Sequence, residues 1–185
     1  MALTARRVAT YADIEALPPN LVGEIVGSEL YASPRPASLH ANVGISLIDE
    51  ISGPFRKGRG GPGGWWILYE PELHLGGDVL APDLAGWRRE RMPNMPDTAA
   101  FTLTPDWICE ILSPSTVRLD RALKMPVYAR EGVRHAWLVD PRAKTLEAFR
   151  LEGGRWVLLG VWSEDALVRA EPFDAVEIAL SDLWA

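Results

Sequence analysis

Two carboxylates and a lysine in this chain stand where charge is costly. Glu110 interrupts the apolar run Trp107-Ile108-Cys109-Glu110-Ile111-Leu112, Asp83 interrupts Val79-Leu80-Ala81-Pro82-Asp83-Leu84-Ala85, and Lys124 follows on the segment after Glu110. Residues 107–112 read as a strand buried on both faces, where an ionised carboxylate needs a cation or hydrogen-bond donors. The Lys124 ammonium is one candidate partner; a metal ion shared with Asp83 is the other. Carboxylate oxygens without thiolates nearby suit Mg²⁺ or Mn²⁺. Such an ion polarises a phosphoryl oxygen and lowers the pKa of a bound water, and a neighbouring amine orients the water or stabilises charge developing on the phosphate. These are the parts of phosphodiester hydrolysis. The bland alternative is a buried Glu110–Lys124 ion pair with no catalytic role, and an Asp83 that merely ends a strand. Asp106 is a decoy, since on one strand it would lie roughly 13 Å from Glu110 at ~3.3 Å per residue.

The elements around these residues must bring them abreast. Leu119, Leu123 and Val127 repeat every four residues as an apolar helical stripe, and Asp120, Lys124 and Tyr128 form a second stripe beside it. A helix starting near Thr116 or Val117 carries Lys124 roughly 10 Å along its axis at ~1.5 Å per residue. Glu110 lies at a similar depth in its strand, roughly 7 to 10 Å at ~3.3 Å per residue. Because the helix runs back along the strand, the two side chains are expected to meet.

The ordered pieces resemble a known pattern. Gly23-Glu24-Ile25-Val26-Gly27-Ser28-Glu29-Leu30, Ser33-Pro34 with His40, Pro82-Asp83-Leu84, Glu110 to Thr116, Asp120-Lys124-Tyr128, and Gly132-Val133 through Trp137-Leu138-Val139-Asp140-Pro141 span most of the chain. In that order they are similar to the Uma-type restriction-endonuclease family within the PD-(D/E)XK nuclease superfamily. The resemblance implies a restriction-endonuclease-like α/β fold, a mixed β-sheet core flanked by helices, and DNA as substrate. It also implies a metal held by Asp83, Glu110 and the Ile111 carbonyl, with Glu24 and His40 approaching the site. On their own, Glu24 and His40 read as a hairpin acid and a helix-start histidine. Two residues depart from the superfamily pattern. Leu112 stands where the superfamily has lysine, so the role passes to Lys124 as in the Uma-type family, and Gly23 replaces the family's aromatic residue before the first glutamate.

Composition bounds the rest. With 185 residues and 48% hydrophobic content, the chain suffices for one domain, 1–185, with a single sizeable core. A net charge of −6 and a pI near 5.1 weigh against a strongly basic surface for nucleic acid. Cations nevertheless cluster at Arg56-Lys57-Gly58-Arg59, at Arg88-Arg89-Glu90-Arg91 and between Arg118 and Lys124, and basic patches can form on an acidic protein. Cys109 is the only cysteine, which excludes an intrachain disulfide and a thiolate cluster and fits a reducing cytoplasm. Residues 1–10 lack the apolar core of a signal peptide, and no apolar run spans a membrane, so a cytoplasmic protein is expected. A homodimer is expected as well, because the eight tryptophans give apolar content beyond one small core and cutting both strands of a duplex favours two-fold symmetry. The acidic balance favours a rival reading, a non-catalytic binding or assembly module that keeps the fold.

Read along the chain, residues 10–18 form a short helix capped by Thr10, and residues 22–32 a hairpin turning at Gly27-Ser28. Leu39, Val43, Leu47 and Ile51 mark a helix ending at Gly53-Pro54. Residues 56–64, rich in glycine and cations, form a loop that is either a mobile linker or a phosphate contact. Residues 65–75 and 78–87 read as two paired strands, with Glu70, Glu72 and His74 on a solvated face, and residues 88–104 as a proline-broken loop. After the helix over 117–130, residues 135–141 make a strand and residues 145–151 and 156–161 a hairpin around Gly153-Gly154.

Overall fold

The computed structural model describes residues 7–184, so most of the expectation for the first ten residues falls outside the described residues. Helix α1 (Tyr11–Glu15) starts behind Thr10, whose backbone N–H donates to the Asp13 carboxylate at 2.8 Å. It is shorter than residues 10–18 because Leu17 precedes the Pro18-Pro19 pair, which disfavours helix. Strands β1 (Leu21–Val26) and β2 (Glu29–Pro34) pair through a turn in which Gly27 and Ser28 take φ of 59° and 70°. α2 (Ser38–Ile51) buries Val43, Leu47 and Ile51 but leaves Leu39 exposed. It does not stop at Gly53-Pro54: the chain continues as a π-helical turn, Ser52–Arg56. The loop after it is folded back, with Arg59 N–H donating to Gly53 O and Gly63 N–H to Pro54 O, so it is not a free linker.

Residues 65–88 make four strands instead of two. β3 (Trp65–Tyr69) and β6 (Leu84–Arg88) pair in one sheet, while β4 (Glu72–Leu75) and β5 (Asp78–Leu80) form a hairpin in another. The breaks have local causes. Glu70 takes φ of 44°, and Pro71 and Pro82 bring no N–H to a ladder. Asp83 therefore stands at the crossover between sheets, immediately before β6, and not inside a strand. The loop over 88–104 contains a further short strand, β7 (Ala100–Phe101), parallel to β4.

β8 (Trp107–Ile111) and β9 (His135–Asp140) run parallel, and β10 (Thr145–Glu152) and β11 (Arg155–Ser163) complete a six-stranded sheet of order β11-β10-β9-β8-β6-β3. The five-stranded sheet runs β2-β1-β5-β4-β7, and β12 (Leu167–Val168) pairs with β13 (Ile178–Ala179) before a 3-10 turn, Leu180–Leu183. Between β8 and β9 the chain forms α3 (Val117–Leu119), a π-helical turn Asp120–Lys124, and α4 (Met125–Arg130). The α/β class and the mixed sheet agree with the reading of the sequence.

The core lies on both faces of the six-stranded sheet instead of forming one mass. Trp107, Cys109 and Ile111 of β8 face α2 and Phe173, whereas Ile108 and Leu112 face Tyr128, Val127 and Leu80. Trp65, Trp107 and Trp137 pack around the Phe173 ring at centroid distances of 4.8 to 5.5 Å. Packing thus accounts for these tryptophans. Among the described residues no helix is long and apolar enough to cross a membrane.

Candidate functional site

Strand alternation decides which way the acids point. Leu84 pairs with Cys109, so Asp83 and Glu110 are neighbours across β6 and β8; Ala85 and Ile108 share one core cluster, which places both acids on that same face of the sheet. All five expected side chains, Glu24, His40, Asp83, Glu110 and Lys124, line one cavity of about 480 Å³ together with Asp120. β1 supplies Glu24, the first turn of α2 supplies His40, and the π turn supplies Asp120 and Lys124.

Lys124 is the hub. Its Nζ lies 2.9 Å from Glu24 Oε1, 2.9 Å from Glu110 Oε1 and 3.4 Å from Asp120 Oδ1, and it donates to Ala81 O at 3.4 Å. Ala81 N–H in turn donates to Glu24 Oε1 at 2.8 Å, which fixes the hairpin acid to the crossover segment. Tyr128 donates its hydroxyl to Glu110 Oε1 at 2.6 Å, so this residue supports the glutamate and not the lysine. Asp83 accepts from Ile111 N–H at 2.7 Å through Oδ2, and its Oδ1 lies 3.2 Å from His40 Nε2. Asp83 thus serves the strand end as well as the cavity.

The alignment of Asp120, Lys124 and Tyr128 depends on the π turn. In a regular helix each four-residue step overshoots by about 40°, so two steps rotate a side chain by about 80°. The wider π turn takes back part of that drift. Its cause is Pro126, which has no N–H for Ala122 O; Met125 N–H reaches Asp120 O instead, five residues back.

Electrostatically the site holds more anion than cation. Burial pushes the Glu110 carboxyl well above the ordinary range; Lys124 pulls it down, while Asp120, Asp83 and Glu24 push it up again. Asp120 is raised by burial too, against the pull of Lys124 and its Thr116 hydrogen bond. Burial alone would lower the Lys124 ammonium, but Glu110, Glu24, Tyr128 and Asp120 outweigh it and hold the amine well above its usual value. His40 would be lowered by its burial, and the hydrogen bond and charge of Asp83, the Ile111 backbone and Asp120 raise it overall.

A hard divalent cation suits this donor set in chemistry and charge. Six carboxylates, Glu24, Glu70, Glu72, Asp83, Glu110 and Asp120, line the cavity with Lys124, Arg35 and His40. The set is not pre-assembled, for among the described residues no three acidic, histidine or cysteine side chains are already grouped to hold an ion. The reason is on view: Glu110 Oε1 is turned onto Lys124 and Tyr128, and Asp83 onto His40 and Ile111.

Several cavity-lining groups were not legible as such. Glu70 and Glu72, expected on a solvated face, line the cavity because the φ of 44° at Glu70 turns the chain there. The segment Ser113-Pro114-Ser115-Thr116 and Arg35 line it too, with Ser113 Oγ 2.9 Å from Ser115 Oγ and 3.0 Å from Thr116 Oγ1. Gly23 replaces an aromatic residue for a steric reason: a Cβ there would approach Leu17 Cδ1 of the α1 segment to 2.6 Å.

The family model described as "Putative restriction endonuclease", Uma2, matches residues 8–181, and the chain belongs to that family. A crystal structure described as "a putative nuclease belonging to DUF820" from Anabaena variabilis superposes with a TM-score of 0.75 at 22% identity, over 95% of this chain and 97% of that one. At that identity the likeness shows a shared fold. No curated protein matches the sequence.

Proposed function

We propose that this member of the restriction-endonuclease family hydrolyses phosphodiester bonds in DNA with Mg²⁺ or Mn²⁺, at the cavity around Lys124. The observation that carries the proposal is the surplus of buried carboxylates over cations in one cavity, an arrangement that core packing alone does not call for. Asp83 and Glu110, with the Ile111 carbonyl, are the residues that would hold the ion; when bound it supplies Lewis-acid polarisation of a phosphoryl oxygen. Lys124, whose surrounding acids favour the ammonium form, supplies positive charge for the phosphate and is held in place by Glu24 and Asp120. His40 sits on Asp83 Oδ1 and keeps that carboxylate oriented toward the cavity.

The protein acts as a homodimer in this reading and works in the reducing cytoplasm. Strand β11 supports the dimer: it is the outer strand of the six-stranded sheet and exposes Leu158 and Val161. Sedimentation as a monomer at micromolar concentration would remove the dimer. The rival is a non-catalytic binding or assembly module, favoured by a lysine already paired with Glu24, Glu110 and Asp120 as a structural ion cluster would be. Nicking of supercoiled plasmid with Mn²⁺, compared between wild type and Glu110→Gln, separates the two. The module reading predicts no Mn²⁺-dependent product from either protein.

A further inference from the structure

The six-stranded sheet has two electrically different ends. Its acidic end is the cavity. At the other end, Trp65 of β3 pairs with Arg88 of β6, Trp107 of β8 with His135 of β9, and His135 with Arg150 of β10. Arg56, Lys57, Arg59, Arg88, Arg89 and Arg134 are exposed there.

These cations are organised by the fold. The Arg88 guanidinium lies 4.4 Å from the Trp65 ring centroid and that of Arg89 4.0 Å from Trp66. Arg89 also donates to Arg56 O at 3.0 Å, which joins the loop over 56–64 to the turn over 88–91. Asp106, buried behind them, accepts from Arg88 N–H, pairs with Arg91 at 2.9 Å and lies 3.9 Å from Arg134. The acids nearby are Glu90, exposed, Glu171, which engages His135 and Arg150, and Glu152, which also pairs with Arg150. The third cationic cluster of the sequence does not contribute, because Lys124 is buried and Arg121 is paired with Glu147.

We propose that this basic end of the sheet binds the phosphate backbone of nucleic acid, as a surface separate from the cavity; the proposal rests on the nuclease reading and adds where the substrate is held. The cations extend across the ends of four adjacent strands, roughly 14 Å at ~4.8 Å per strand, which suits an extended polyanion better than a single phosphate. Guanidinium groups match phosphate oxygens in pairs. From Asp83 in the cavity lining to Arg88 at the far end of β6 is roughly 16 Å, five residues at ~3.3 Å each, close enough for one duplex to meet both. The surface also resolves the conflict posed by the net charge of −6, since the positive charge is concentrated where contact is made.

The test is fluorescence anisotropy of a labelled DNA duplex in EDTA, over about 50 to 200 mM salt. Wild type, a combined Arg56→Glu, Lys57→Glu and Arg59→Glu variant, and a control with Arg142→Glu, Lys144→Glu and Arg169→Glu are compared. The combined variant is expected to bind at least tenfold more weakly, with a salt slope shallower by about 2 to 3. The control should bind as wild type does. Unchanged binding by the combined variant overturns the proposal, and so does competition by polyglutamate as effective as by DNA of equal charge, which would mark an acidic-protein surface. Cleavage by wild type is read separately. A wild type that cuts while the reversal leaves binding intact sinks this surface alone, whereas one that neither binds nor cuts sinks the nuclease reading with it.

Discussion

Tyr128 and Glu110 meet at 2.6 Å through a single oxygen, Oε1, the same atom that lies 2.9 Å from Lys124 Nζ. The glutamate is therefore held by two donors on one side of its carboxylate. Replacing Tyr128 with Phe removes one of them and should lower stability by about 1.5 to 3 kcal/mol, as for a hydrogen bond to a charged group. Urea unfolding midpoints for the two proteins check this, and an unchanged midpoint would mean that the bond contributes nothing.

Glu110→Gln should leave the fold intact. It removes one anion from a surplus while Lys124 keeps Glu24 and Asp120, so the melting temperature without metal should stay close to wild type or rise. Under the proposed function the variant loses stabilisation by Mn²⁺ and plasmid cleavage together. Thermal melts with and without Mn²⁺ are the measurement.

Lys124→Ala should behave in the opposite way. Removing the amine leaves Glu24, Glu110 and Asp120 buried without their cation, a cost of about 3 to 5 kcal/mol, or roughly 6 to 20 °C in melting temperature for a chain of this size. The three carboxylates within 3.4 Å of the amine make it a stability change as well as a loss of turnover under the proposed function. Divalent cations should restore part of the loss, and a melt indifferent to them would count against the cavity as a cation site.

His135 provides a pH test away from the cavity. Burial lowers its pKa from the ordinary 6.5, reinforced by Arg88 and Arg150 and opposed by the hydrogen bond and charge of Glu171. A histidine with a depressed folded pKa contributes stability that is fully present above 6.5 and is lost as pH falls through the folded value. His135→Gln should flatten the loss of stability as pH falls below 6.5, as measured by urea unfolding at each pH.

What the sequence made legible, it did through charge in apolar surroundings. Glu110 and Lys124 stood out because residues 107–112 and the stripe of Leu119 and Val127 admit no ion without a partner, and the structure joins them. Asp83 was recognisable by type and misplaced by context, since its apolar neighbours read as one strand while Pro82 and the turn at Glu70 divide that stretch between two sheets. Glu24 was accessible only through the family pattern; its contact with Lys124 joins residues a hundred positions apart, and no local periodicity reports that. Glu70, Glu72 and His74 resemble a ligand set by type, and alternation with Leu73 and Leu75 pointed instead to a solvated face; the structure brings Glu70 and Glu72, but not His74, to the cavity lining across the kink at Glu70.

The π turn over Asp120–Lys124 makes one exposed residue as consequential as the buried acids. Ala122 is exposed and outside the cavity lining, so substitutions there are matters of local propensity. Pro126, equally exposed, is different in kind. A residue with an N–H there could bond Ala122 O and close the turn to ordinary α geometry, which over eight residues would swing Asp120 by up to about 80° relative to Tyr128 and part it from the glutamate side of the cavity. For this segment the shape of a buried site is kept by a side chain that the site never touches.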